Sequence, residues 1–380
     1  MKKTLEFIKE EKIFSILFLF TFLISLRSIF LTLSGDEITY YQIAENILKG
    51  KYYQTDYPSS VVPIIPFMMA FFKIDSYPLL GFILHKITHI LLTILALRYV
   101  FLLLVKLNIE KKIIYSLLLL IITASGYISS HSSLYPEAIV MFSFWGFMYY
   151  LNEPKNIHNY KRLFIFLIIL IFTRHLFAVL GGLLLVYYFD LIKNPKKQVI
   201  KFIVISILFS TPLFLWIKYV YFVESSNLSE ISYFNRFKSD DNILLYNIKC
   251  GLGLEQHYEV KKINGVPAFI SLFIPITGIR NYTISIILLL LIFWGYYKNL
   301  KIELTKYFLI AFCLVFIGLI LAGTGFSRYW LVLLPIIYLG YYYAFLKLNL
   351  SNIYFIYFSQ IVSLLLIVNE IRLSYLIFYK

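Results

Sequence analysis

An all-α polytopic membrane protein is the fold class that this sequence predicts, and three observations support it. Of its 380 residues, 60% are hydrophobic and 14% are charged, whereas soluble domains are typically about 25% charged. Apolar runs of membrane-spanning length recur along the chain. The charged residues lie in short clusters between these runs, as in membrane proteins with several spans. We therefore expect one transmembrane domain over residues 1–380.

The apolar runs predict about eleven membrane-spanning segments. The first run, 13–33, is too long for the core of a signal peptide and predicts a retained helix. The stretch 163–191 is interrupted by Arg174 and His175, which predicts a hairpin of two short helices meeting at that pair. The other runs are 79–105, 113–130, 134–151, 199–222, 281–297, 307–322, 329–346 and 353–376.

The distribution of Lys and Arg predicts the orientation of the chain. Alternate short loops, 131–133 and 323–328, contain only one basic residue, Arg328. Lys and Arg are instead concentrated in loops 1–12, 106–112, 152–162, 192–201 and 298–306. Cytoplasmic loops carry the excess of positive charge, so we expect a cytoplasmic N-terminus.

This orientation places two long segments on the outer side of the membrane, 34–78 and 223–280. Within the first, 37–49 has the apolar spacing of an amphipathic helix on the membrane surface. The proline-bounded piece 61–72 is too short to span the bilayer. We therefore expect a first outer loop that carries juxtamembrane helices.

The positive balance of the chain does not indicate a nucleic-acid partner. With 35 Lys and Arg against 20 Asp and Glu, the formal net charge is +15. A nucleic-acid binder gathers such charge on one solvated face, whereas here it follows the loops. The two cysteines give no disulfide framework and no cysteine-based metal site.

Charged side chains beside apolar runs are costly and need a partner or a function. Those expected at the outer rim of the membrane are Asp36, Glu37, Glu137, Arg174, His175 and Arg328. Carboxylates at such a rim accept a proton from a hydroxyl or hold a divalent cation. Arginines clamp phosphate through paired N–H donors. Together these groups suit displacement at a sugar carbon whose leaving group is a lipid-linked phosphate.

Each of these residues also has a structural interpretation. The acids Asp36, Glu37 and Glu137 are the residue type that stabilises the first turn of a helix. Arg174 and Arg328 suit interfacial anchors. A histidine at a membrane rim is more often hydrogen-bonded in place than a base.

Four segments of the chain resemble a known family when taken in order. The first, GDEITYYQIAENILKGKYYQTDYPSSVVPIIPFMMAFFKI, resembles the first periplasmic loop of the GT-C superfamily, in the branch of the protein O-mannosyltransferases and the lipid A aminoarabinose transferase. Three later pieces resemble later segments of that family, taken in order. The segment with an acid is matched by SSLYPEAIVMFSFWGFMYYL, the one with a helix-break arginine by FTRHLFAVLGGLLLVYY, and the one with Arg-Tyr followed by Pro by SRYWLVLLPIIYL. The counterparts in the first segment are Asp36, Glu37, Tyr40, Ala44, Gly50, Pro63 and Pro66.

The resemblance implies a GT-C-like bundle and a glycosyltransferase of a bacterial inner membrane. Its donor is a polyprenyl-phosphate sugar, and its acceptor is a glycan, lipid or protein hydroxyl of the cell envelope on the extracytoplasmic face. The resemblance makes Asp36 the catalytic acid-base candidate, assisted by Glu37. It implies that Arg174 and Arg328 bind the lipid phosphate, and that Glu137 binds substrate or a metal ion. Tyr40, His175 and Tyr329 complete the expected substrate-binding set.

The resemblance leaves the cofactor open, because some relatives bind a divalent metal ion and others do not. No other cofactor is expected, and the expected partners are the lipid-linked donor, the envelope acceptor and membrane lipids.

Three other functions remain open at this stage. A polysaccharide polymerase or ligase would bind lipid pyrophosphate through the basic residues of the second outer loop, Arg236, Lys238, Lys249, Lys261, Lys262 and Arg280. A transporter or lipid flippase predicts inverted repeats and charges near the bilayer midplane, and the sequence shows no repeat. A structural membrane subunit would give the rim charges no chemical role.

Overall fold

The computed structural model describes residues 11–51, 61–193, 195–226, 242–256, 265–274 and 281–378. The structure is 82% helical, and the described residues form no β-strand. The α-helices in this part of the chain are α1 (Lys12–Ile29), α2 (Asp36–Leu48), α3 (Ile64–Phe72), α4 (Pro78–Lys106), α5 (Lys111–Thr123), α6 (Tyr127–Ser132), α7 (Glu137–Leu151), α8 (Ile157–Thr173), α9 (Gly181–Ile192), α10 (Lys196–Ser226), α11 (Ile243–Leu252), α12 (Tyr282–Tyr296), α13 (Glu303–Leu321), α14 (Ser327–Trp330), α15 (Leu334–Lys347) and α16 (Asn352–Phe378). Short 3₁₀ helices occupy His175–Leu180, Val266–Leu272, Tyr297–Asn299 and Leu331–Leu333.

Eight helical stretches among the described residues are long and apolar enough to cross a membrane. They are Lys12–Ile29, Pro78–Lys106, His175–Ile192, Lys196–Val220, Tyr282–Asn299, Glu303–Leu321, Ser327–Lys347 and Asn352–Leu376. The prediction of an all-α polytopic membrane protein is thus confirmed at this level. Each of the eight overlaps one of the eleven segments expected from the sequence.

The other three expected segments correspond to helices of fewer than 18 residues. Helix α5 has 13 residues, α7 has 15 and α8 has 17. Ala124 leaves helical geometry after α5, and Gly126 has a φ of 75°, so the run 113–130 is divided between α5 and α6. Pro136 precedes α7, and Arg174 is extended at the end of α8. A total of eleven crossings stays a prediction.

The predicted helix break at Arg174 and His175 is present, between α8 and the 3₁₀ helix that leads into α9, while the hairpin arrangement of the two helices stays a prediction. The extended backbone of Arg174, with φ −155° and ψ 119°, ends the helix. The Arg174 side chain therefore extends from the end of a helix rather than from its side.

The core positions these helix ends. Helix α7 packs against α4 and α8, and a side chain at Gly146 would overlap the Phe166 ring, so α7 and α8 approach closely. The buried Trp145 indole donates to the Val332 carbonyl at 3.0 Å, which joins α7 to the segment after α14. Most residues of Ser327–Lys347 are buried, so this stretch is central. Few residues of Lys196–Val220 are buried, so this helix leaves an apolar surface outside.

Segment 34–78, expected on the outer side, contains helices at both stretches where they were predicted, α2 and α3. Helices α2 and α3 pack together around Ala44, Ile65 and Met69, with Leu134 from the segment before α7. The expected apolar stripe of α2 is only partly buried, since Ile38 is 46% exposed. Of the predicted stripe, Ile38, Tyr41, Ala44, Ile47 and Leu48, only Ala44 is buried, beside Glu37 and Ile43.

In the second outer segment, the structure describes α11 and the 3₁₀ helix Val266–Leu272. Phe269 packs against Trp330 with ring centroids 5.1 Å apart. Lys249 lies in α11 and pairs with Glu255 at 3.6 Å. The other basic candidates of this loop lie outside the described residues: Arg236, Lys238, Lys261, Lys262 and Arg280.

Candidate functional site

Four charged side chains from distant parts of the chain meet in one connected group. The Arg328 Nη2 atom lies 2.7 Å from Asp36 Oδ2, and the Arg174 Nη2 atom lies 2.6 Å from Glu137 Oε1. Arg328 Nε lies 3.7 Å from the same Glu137 oxygen, which links the two pairs. We call Asp36, Glu137, Arg174 and Arg328 the rim cluster.

Local backbone features present each member of the rim cluster at a helix end. Gly35 has a φ of 57°, a conformation that favours glycine, and turns the chain from α1 into α2 at Asp36. Glu137 is the first residue of α7, where a negative charge is favoured. Arg174 follows α8, and Arg328 lies in the four-residue helix α14. These ends lie close together because α7 packs against both α8 and the segment after α14.

Exposure changes steadily across the rim cluster. The Glu137 side chain is 4% exposed, Arg174 is 16%, Arg328 is 24% and Asp36 is 50%. The two carboxylates and two guanidiniums balance in formal charge. The second Glu137 oxygen, Oε2, is buried and has no hydrogen-bond partner among the described residues. The cluster thus runs from a buried carboxylate to an accessible one, with two cations between them.

Aromatic rings frame the two guanidinium groups. Arg174 lies 4.1 Å from the centre of the Tyr329 ring, and Arg328 lies 4.8 Å from that of Tyr135. Such stacking orients a guanidinium plane while its edge donors stay available. A cavity beside the cluster is lined by Glu137, Val140, Arg174, Phe177, Arg328, Tyr329, Leu331 and Val332.

Tyr40 lies next to the rim cluster on α2. Burial raises the pKa of its phenol; the charge of Arg174 opposes this rise, and those of Asp36 and Glu137 add to it. The phenol is therefore neutral at physiological pH and available as a hydrogen-bond donor. Tyr40 and Tyr329 are thus both brought to the cluster by the fold.

Two other expected site residues are placed differently. Glu37 is 2% exposed and points inward, where its oxygens accept hydrogen bonds from the backbone N–H groups of Ser34 at 2.9 Å and Leu134 at 2.7 Å. His175 is exposed, and no hydrogen bond or ion pair within the described residues joins it to the cluster. The structure therefore gathers Asp36, but not Glu37 or His175, into the charged group.

Sequence reasoning missed several groups of the same kind. Lys86 is 2% exposed within α4, and Arg27 in α1 forms a buried ion pair with Glu370 at 2.5 Å. Tyr135 was also missed. The criterion that singled out Glu137, a lone charge in an apolar run, applies equally to the two cations and could have found them.

Within the described ranges, no group of three or more His, Cys, Asp or Glu side chains has an arrangement that could hold a metal ion. In the rim cluster, the nearest partners of the carboxylates are guanidinium groups.

Comparison of the chain with protein-family models and with curated proteins finds no match.

Proposed function

We propose that this chain is a membrane glycosyltransferase with a GT-C-like bundle. It moves a sugar from a polyprenyl-phosphate donor to a hydroxyl of a cell-envelope acceptor, on the extracytoplasmic face of a bacterial inner membrane. The observation that carries the proposal is the rim cluster, in which two oriented guanidiniums lie beside one accessible carboxylate. The four resembling segments of the sequence contribute its four members in the same order.

The proposed reaction is a single displacement with inversion at the anomeric carbon. Asp36 accepts the proton of the acceptor hydroxyl while the hydroxyl oxygen forms a bond to the sugar. The bond between the anomeric carbon and the phosphate oxygen breaks, and the lipid phosphate leaves with the electron pair. Arg174 and Arg328 stabilise the charge that develops on that oxygen. Tyr40 and Tyr329 line the space where the sugar lies.

Donor binding changes the partners of Arg328 in this scheme. In the structure, its Nη2 atom donates to Asp36 at 2.7 Å. A phosphate oxygen competes with that carboxylate for the same guanidinium, because phosphate is a strong acceptor for arginine. Release of Asp36 then leaves its 50% exposed carboxylate free to take a proton from the acceptor. The ion pair thus couples arrival of the donor to availability of the base.

The decisive experiment measures transfer from synthetic polyprenyl-phosphate sugars by purified protein in lipid nanodiscs. Asp36→Asn is expected to lower the rate by about 10²–10⁴-fold, the range that a general base contributes. Asp75→Asn is the matched control, because Asp75 lies in the same outer segment and its side chain is 86% exposed. Wild-type rates in Asp36→Asn would remove Asp36 from the mechanism.

Analysis of the product separates this proposal from its rivals. Transfer of one sugar with inversion supports it, whereas a polymer built on lipid pyrophosphate would indicate a polymerase or ligase. Movement of the intact lipid across the membrane would indicate a flippase. Loss of transfer in EDTA, with recovery in Mg²⁺ or Mn²⁺, would add a divalent cation to the scheme.

The role of Arg174 is tested through the donor. Arg174→Lys keeps the charge but removes the planar pair of donors, so KM for the donor should rise by about tenfold or more, equivalent to at least 1.4 kcal/mol. KM for the acceptor should change little. Arg162→Lys, at the other end of α8, is the control, since Arg162 stacks on Tyr150 away from the cluster. An unchanged KM for the donor would exclude the phosphate role.

A further inference from the structure

Two buried charges of opposite sign lie on either side of the segment that leads to Asp36, and the proposed chemistry uses neither. Lys86 of α4 and Glu37 of α2 are each 2% exposed. Burying an ion is expensive unless it is paired and hydrogen-bonded. Both residues direct their polar atoms to backbone groups of the same short stretch, 28–37.

Lys86 holds the first part of this stretch. Its ammonium donates to the carbonyl oxygens of Ser28 at 3.0 Å and Leu31 at 2.7 Å, where α1 ends. The last carbonyls of a helix lack intrahelical partners and carry partial negative charge, so a cation there is stabilising. The end of the first span is thereby attached to the second span.

Glu37 holds the second part. Its Oε2 atom accepts from the Ser34 N–H at 2.9 Å, and its Oε1 atom accepts from the Leu134 N–H at 2.7 Å. The first bond closes the turn before α2, and the second connects that turn to the segment that precedes Glu137. The charge of Glu37 also acts on Lys86, so each buried ion offsets part of the cost of the other.

Asp36 itself has little to hold it. Its side chain is half exposed and is hydrogen-bonded to Arg328. Gly35, the residue before it, has a φ of 57° and no side chain to pack. The position of the carboxylate therefore depends on how firmly the preceding residues are fixed.

We propose that Lys86 and Glu37 are a positioning pair, which fixes residues 31–35 and so holds the Asp36 carboxylate against Arg328. The inference deepens the proposed function and rests on it for its kinetic consequence. The positional claim rests on the hydrogen bonds alone. Glu37 is accordingly a positioning residue beside the base rather than a second acid.

The positional claim is tested by electron paramagnetic resonance distances that need no activity. Spin labels are placed at Thr32→Cys, in the held segment, and at Ser351→Cys, an exposed residue beyond the far end of α15, with Cys250→Ala and Cys313→Ala as background. The 21 residues of Ser327–Lys347 separate the two ends by roughly 30 Å at 1.5 Å per residue, which suits the method. Lys86→Met should turn a narrow distance distribution into a broad one, and Lys86→Arg should restore the narrow one.

Lys106→Met is the matched control, because Lys106 ends the same helix α4 at the other side of the bundle. If Lys86→Met is not recovered in folded form, Glu37→Gln takes its place, since it keeps the volume but removes the charge. A distribution as narrow as that of the unsubstituted protein in either variant would overturn the proposal.

Kinetics provide the second arm of the test. A base displaced by about 1 Å is expected to lower kcat by roughly 10²-fold, with KM for the donor unchanged, because Arg174 and Arg328 stay in place. Lys86→Arg should recover most of kcat. A broad distance distribution in Lys86→Met, together with no sugar transfer by the wild type, would support the positioning role and overturn the proposed function. A rise in KM with unchanged kcat would overturn the positioning role.

Discussion

The charged side chains at the two ends of the helical bundle are paired differently. At the rim cluster, one Glu137 oxygen serves two guanidiniums, and the other oxygen of that carboxylate is buried without a partner among the described residues. At the opposite end, each ion pair within the described residues is a simple one: Lys106 with Glu153 at 2.7 Å and Lys111 with Glu11 at 2.6 Å. Both pairs there leave the lysine at least a third exposed, at 36% and 60%.

Under the proposed function and the expected orientation, charge at the rim cluster serves a site, whereas charge at the opposite end sets the topology of the chain. In the orientation expected from the sequence, the positive-inside rule explains the lysines at that end, and exposed lysines gain little from their partners. A shared, partly buried network is costly to assemble, and the proposed function explains its presence at the rim by the binding of a donor there.

The largest effect is expected where the network is most connected. Glu137→Gln removes the charge that holds both Arg174 and Arg328, leaving two partly buried cations with one half-exposed carboxylate. Breaking a buried ion pair from one side costs about 3–5 kcal/mol, so thermal unfolding in detergent should shift strongly and sugar transfer should be lost.

Glu153→Gln at the opposite end is the matched control, and its cost should stay within about 1 kcal/mol. Equal stability losses in the two variants would mean that the ends do not differ in the way described.

The fold was largely predictable because the bilayer sets the length of a spanning helix. Eight of the expected segments follow from apolar length alone. The ends of the helices were less predictable from the sequence, because single residues decide them. Gly126 divides one apolar run, and Pro136 shortens another. The break at Arg174 was predictable, since an Arg-His pair interrupts the run 163–191.

The sequence predicted which residues form the candidate site better than it predicted how their side chains are arranged. Asp36, Glu137, Arg174 and Arg328 were expected on one face, because the charge bias assigns their loops to the same side. The inward direction of Glu37 could not be foreseen, since neighbouring residues on a helix point about 100° apart. Its partner Leu134 lies 97 residues away in the chain. Lys86 likewise depends on carbonyls of another helix.

The second effect, on stability, is expected where Arg27 in the last turn of α1 pairs with Glu370. The Arg27 and Glu370 side chains are 7% and 4% exposed, and Arg27 also donates to Ser374 at 2.9 Å. Arg27→Met leaves a buried carboxylate without its cation and should destabilise by about 3–5 kcal/mol, whereas Arg27→Met with Glu370→Met should recover most of that loss. Thermal unfolding measures both variants, and a double variant no more stable than the single one would contradict this account.

The smallest effect is expected at the pair of Lys111, whose side chain is 60% exposed, and Glu11. Burial raises the pKa of Glu11, but hydrogen bonds from Lys111 and Tyr115 lower it by more, so the net shift is downward. A carboxyl whose pKa is lowered by folding adds stability at neutral pH, and this contribution is lost as the pH falls through the folded pKa. Lys111→Ala should therefore destabilise by at most about 1 kcal/mol at pH 7 in low salt. The difference from wild type should shrink in 1 M NaCl and as the pH is lowered below the ordinary range of a glutamate. A difference that persisted under both conditions would show that the opposite end also carries a buried network, and the contrast between the two ends would fail.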